Sequence, residues 1–150
     1  MKSLDSIIKI AEIHAKRLRF AMNHLKEKIP VTANDIDNIS DEDLPFFELY
    51  TSRFSKLQDF MGSSLFTAVL EAKGEQTEQM TFIDKLHKLE KLNLITSTED
   101  WMSMRQIRNN LAHEYPEHPE LTAKFFNEAF QFGTLLLDSL EKVKQFITKK

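Results

Sequence analysis

Cysteine is absent from this 150-residue chain, glycine occurs only 3 times and proline 4 times. Without thiols there can be no disulfide and no thiolate metal site, so a reducing compartment suits the chain and the cytoplasm is the expected location. So few turn residues exclude a many-stranded sheet, whose hairpins draw heavily on glycine and proline. Long apolar runs are missing too. None approaches the ~20 residues that a membrane-crossing helix requires, and charged side chains interrupt MKSLDSIIKIAEIHAKRLRF too often for a secretory leader. Neither a glycine-rich phosphate loop nor a Gly-x-Ser-x-Gly elbow is present, which leaves nucleotide hydrolysis and esterase chemistry without support. An excess of basic charge is also lacking: 20 Lys and Arg stand against 23 Asp and Glu, for a net charge of −3. A broad phosphate-binding surface is therefore excluded, and any nucleic acid would have to be met by a local cationic patch.

What is present is a globular composition, 41% hydrophobic and 29% charged, in a length that suits one domain spanning residues 1–150 with its own core. The hydrophobic period is helical almost throughout. Leu4, Ile8, Ala11, Ala15, Leu18, Met22, Leu25 and Ile29 mark a first long helix that Pro30 closes. TANDIDNISDED reads as a polar linker, and Ser40 with Asp43 resembles a capping box before Pro45. Phe47, Tyr50, Phe54, Leu57, Met61, Leu65 and Ala68 form a second stripe. Gly62-Ser63-Ser64 in its middle predicts a kink or a close helix approach. After a break around Gly74, Phe82, Leu86, Leu89 and Leu92 mark a shorter helix. Thr96-Ser97-Thr98 followed by Glu99 and Asp100 caps a fourth. Pro119 opens a last long one with a stripe at Phe125, Ala129, Phe132, Leu136, Leu140, Val143 and Ile147. The expected fold is an all-α antiparallel bundle of four to five helices.

The fourth helix carries RNNLAHEY, Arg108 to Tyr115, and is expected to stop near His113 to Tyr115 because Pro116 disfavours the α conformation before it. Trp101, Met104, Ile107 and Leu111 share its buried face. Arg105, Asn109 and His113 form a polar ridge at i, i+4, i+8, where the Asn109 amide could orient the His113 ring. Arg108 lies at the edge of the apolar stripe, a place suited to a subunit seam or a cleft wall. Arg108 and His113 would leave a continuous helix roughly 140° apart. They can meet on one phosphate only if the helix frays before His113 or a second chain contributes, which favours a site at a two-fold dimer interface.

RNNLAHEY fits the pattern Arg-Asn-x-x-x-His-x-Tyr, and with the helix order from about Ser3 to Phe146 it resembles the HepT-like members of the HEPN superfamily. The resemblance implies a helical ribonuclease toxin that cleaves RNA without metal or cofactor. His113 would act as general acid or base. Arg108 would clamp the scissile phosphate, and Asn109 and Arg105 would support the site. It further implies a nucleotidyltransferase antitoxin that adds AMP to Tyr115, blocking the phosphate site by occupancy and repulsion.

Each residue has a plainer reading. Arg108 fits a structural ion pair, His113 a C-terminal partner of the helix dipole, and Tyr115 a packed aromatic. His113-Glu114 with His118 is not a zinc-protease helix, because the second histidine is one residue too far and Pro116 breaks the helix. His118 could still line the same cleft or simply start the last helix. Arg53, Lys56 and Asp59 read as a solvated charged face, and His14, His24 and His87 as surface or boundary residues. A second function class is therefore a non-catalytic helical helper or substrate-binding subunit of a nucleotidyltransferase; a third is a purely structural bundle.

Overall fold

The computed structural model describes residues 3–113 and 115–148; Glu114, inside the motif, lies outside the described residues. The chain forms α1 (Leu4–Leu25), a short α2 (Ala33–Asp37) and α3 (Leu44–Phe60). One π-helical turn (Met61–Leu65) then leads into α4 (Phe66–Ala72), followed by α5 (Phe82–Lys91), α6 (Thr98–Leu111) and α7 (Pro119–Thr148). Among the described residues there is no strand, and the fold is an all-α bundle, as the hydrophobic period predicts. No described helix is long and apolar enough to cross a membrane.

Small residues set the closest packing. Ala11, Ala15 and Ala21 on α1 are wholly buried, and such short side chains let helix axes approach. Arg19 pairs with Glu141, and Lys144 with Glu12, so α1 and α7 run antiparallel. The Phe20 and His24 rings meet Phe46, whereas His14 meets Phe60, so α1 and α3 are antiparallel too. At the centre the Tyr50 hydroxyl donates to the Ala129 carbonyl over 2.6 Å. Burial pushes this phenol far above its ordinary titration range. Gly133 is required beside it, because a Cβ there would overlap the Tyr50 oxygen.

Several local expectations are corrected. Residues 32–43 are not a plain linker: Thr32 and Asp35 make a reciprocal capping box that starts α2. Ser40 Oγ does accept the Asp43 N–H at 3.1 Å, but it closes a turn before α3 rather than capping the helix. The strap that bears α2 is tied to α7 by Asn127, whose amide accepts from the Val31 N–H at 2.8 Å and donates to the Val31 carbonyl at 2.9 Å. The Gly62-Ser63-Ser64 weak point becomes the π turn, in which the Phe66 N–H reaches back to Met61. The extra residue rotates the following turn, so Phe66, Val69 and Leu70 are buried and Ala68 only partly so. Gly62 faces the rings of Phe82 and Trp101, the close approach its size suggests. Leu92 is a C-cap residue and exposed, because α5 ends at Lys91.

Candidate functional site

The start of α6 is held on several sides. Ser97 accepts the Asp100 N–H at 2.9 Å, Glu90 from the end of α5 accepts the Thr98 N–H at 2.6 Å, and Thr96 donates to Asp100 at 2.7 Å. The hydrogen bond from Thr98 holds the Glu90 carboxyl below its ordinary value. One turn on, Trp101 is buried against Phe66 with ring centroids 4.7 Å apart, and Met104 and Ile107 continue the face. This anchoring fixes the direction in which the motif side chains leave the helix.

Two arginines project on the flank toward α3 and α5. Arg108 donates through Nε (3.1 Å) and Nη2 (2.6 Å) to a single oxygen of Asp59. Arg105 lies with its guanidinium carbon 4.9 Å from the centre of the Phe82 ring. Arg105, Phe82, Asp59, Gln58, Gly62 and Ser63 enclose a cleft of about 330 Å³ beside the π turn. Gln58 is 2% exposed, and its Oε1 is buried without a protein hydrogen-bond partner. Asp59 is thus not merely part of a solvated face, and neither is Arg53, whose Nη1 lies 3.0 Å from His14 Nδ1. Burial, followed by the charges of Arg53 and Lys56, lowers the His14 pKa, so its ring is a neutral acceptor near neutrality. His24 stacks on Phe46 with centroids 3.6 Å apart.

The helix ends earlier than Pro116 alone predicts: α6 stops at Leu111, Ala112 caps it in a turn, and His113 lies beyond. The Arg105–Asn109–His113 ridge is therefore interrupted. The His113 backbone N–H reaches Asn110 O at 3.3 Å, and among the described residues no hydrogen bond joins the Asn109 amide to the imidazole. The exposed His113 ring instead lies edge-on to Tyr115, centroids 6.5 Å apart, and Tyr115 packs on Phe125 at 5.6 Å. Both line a second concavity of about 680 Å³, floored by Ile36, Phe47, Leu111 and Phe126 and edged by Asp37, Glu48 and Asn110.

Within one chain, then, the structure brings His113 and Tyr115 together and turns Arg105 and Arg108 toward Asp59 and Phe82. It does not bring Arg108 onto His113. His118 does not line the His113 pocket; its Nδ1 lies 3.1 Å from Glu120 at the start of α7. Among the described residues no group of three potential ligands could hold a metal ion. Asp59 and Gln58 are the site residues that sequence spacing missed, since they lie on another helix. Comparison with family models, curated proteins and solved structures finds no match for this chain.

Proposed function

We propose that the protein is a metal-independent endoribonuclease toxin of a HEPN/nucleotidyltransferase pair, acting on RNA in the cytoplasm as a homodimer. His113 and Arg108 are its catalytic residues, Asn109 and Arg105 support them, and AMP modification of Tyr115 by the antitoxin silences it. The observation that carries this reading is the end of α6 at Leu111. It frees the imidazole from the helical angle that would hold it roughly 140° from Arg108, and leaves it exposed beside Tyr115. His113 takes the proton of a 2′-hydroxyl or returns one to the leaving 5′-oxygen. The 2′-oxygen bonds to phosphorus as the bond to the 5′-oxygen breaks, giving a 2′,3′-cyclic phosphate and a 5′-hydroxyl. Arg108 spends two N–H donors on Asp59 and keeps three of its five for a phosphate. In a two-fold pair, the arginine flank of one copy supplies the charge clamp for the imidazole of the other.

The test is cleavage of single-stranded RNA in excess EDTA by the purified protein, beside His113→Ala and Arg108→Ala. Each substitution is expected to lower the rate by about 10²-fold or more. Cleavage that survives either substitution, or that requires added metal, removes this mechanism.

One observation favours a second reading, the non-catalytic partner subunit of a nucleotidyltransferase: Arg108 is already matched by a carboxylate of its own chain. That reading expects a stable complex and AMP on Tyr115 by intact mass, with no nuclease activity in the free protein.

A further inference from the structure

We infer that the pocket beside His113 is a docking groove for a partner-protein segment with an apolar anchor flanked by lysine or arginine. The inference goes beyond the proposed activity and does not require His113 to cut RNA. The cavity, about 680 Å³, is walled by α2, the first turns of α3, the end of α6 and the start of α7. Its size lies within the range of specific binding sites. Its floor is aliphatic and aromatic, and Leu44 at its edge is 40% exposed, a large apolar side chain left in water.

Neither carboxylate in its lining has a lysine or arginine for a neighbour in that lining. None of the described lining residues is a lysine or arginine, while Asp37 and Glu48 both face the cavity. The sequence extends this field. Residues 29–52 and 109–123 contain no lysine or arginine, although the chain has 20 of them. The first stretch carries Asp35, Asp37, Asp41, Glu42, Asp43 and Glu48, and the second carries Glu114, Glu117 and Glu120. Lys28 neutralises Asp43 from outside, at 3.1 Å. Asp37 and Glu48 have no ion-pair partner among the described residues.

An apolar basin with Asp37 and Glu48 at its edge offers a phosphate no lysine or arginine of its own lining. It suits a leucine, methionine or phenylalanine side chain, whose apolar surface leaves water on docking. Flanking cations then find Asp37 and Glu48, which raises the association rate and selects the partner. A segment seated there lies over His113 and Tyr115, so docking covers the exposed imidazole and brings the partner to the tyrosine.

The experiment is selection of displayed random peptides of about 12 residues on the full chain, followed by titration of synthetic copies of the winners. Enriched sequences are expected to place Lys or Arg beside an apolar residue. Their affinity should fall about tenfold or more in the double variant Asp37→Lys/Glu48→Lys and weaken steadily with added salt. Leu44→Asn, which removes apolar surface while leaving the carboxylates, should weaken the same peptides without steepening their salt dependence. It also serves if the double variant fails to fold. Winners that are acidic or uncharged, or that bind the variants as tightly as the parent chain, overturn the inference. Loss of RNA cleavage in Arg108→Ala, whose side chain does not line the groove, with peptide binding intact, separates this groove from the proposed nuclease.

Discussion

The two ends of α6 are built in opposite ways. At its start, the Asp100 and Thr98 N–H groups donate to Ser97 and Glu90, and Trp101 is set into the core against Phe66. At its end the helix stops at Leu111, and the next two residues are exposed. One end holds the helix in place; the other presents an imidazole at the edge of an apolar basin. The difference teaches that the reactive-looking residues are positioned by contacts two and three turns away from them. Substitutions at the first end should therefore cost stability, and those at the last should change chemistry or binding alone.

Trp101→Ala should do the most damage, about 3–5 kcal/mol of unfolding free energy for a buried indole, read by denaturant titration. A loss under 1 kcal/mol would mean the first end is not the anchor. Ser97→Ala should cost about 1 kcal/mol as a lost N-cap, visible as a lower midpoint with an unchanged slope. The Glu90 cap makes a pH-dependent contribution. Because hydrogen bonding from Thr98 lowers its folded pKa from the ordinary value of 4.5, that stability is complete above the ordinary value and drains away as pH falls through the lowered one. Glu90→Gln should flatten this acid limb, and an unaltered limb would show that the cap contributes nothing. The Arg108–Asp59 pair is half exposed, with side-chain exposures of 29% and 50%, so a double-mutant cycle should find under about 1 kcal/mol of coupling. More would mark a structural pair and favour the helper-subunit reading. His113→Ala should shift stability least, within about 0.5 kcal/mol; a larger loss would place the ring in the core and dissolve the contrast.

Much of the bundle was legible because burial repeats with the helical period. Ala11, Ala15, Leu18 and Leu25, the stripe from Phe47 to Leu65, and Ala129, Leu136, Leu140 and Val143 are buried as their spacing predicts, while Met22 and Phe132 are only partly so. Legibility failed where geometry departs from a uniform 100° per residue. The π turn moved the buried positions from Ala68 to Phe66. The α2 turn was hidden because a single helical turn is too short to show a period, although its Thr32–Asp35 box was present to be read. At the candidate site, the motif residues could be named from spacing on one helix. Asp59, Gln58 and the basin beneath His113 depend on which helices become neighbours, and no pattern local to α6 contains that information. The helix stops at Leu111, ahead of the expected His113 to Tyr115, because Pro116 sets only the last residue at which α6 could end.

The Asn127 amide has a consequence that reaches beyond α7. The α2 segment has no buried side chain of its own, yet Ile36 and Asp37 form one wall of the basin. A donor and an acceptor on one carboxamide splint the backbone at Val31, as a neighbouring strand would. That wall is thus braced from outside by a side chain that never meets the contents of the groove, and the width of the opening is set at a distance from anything that enters it.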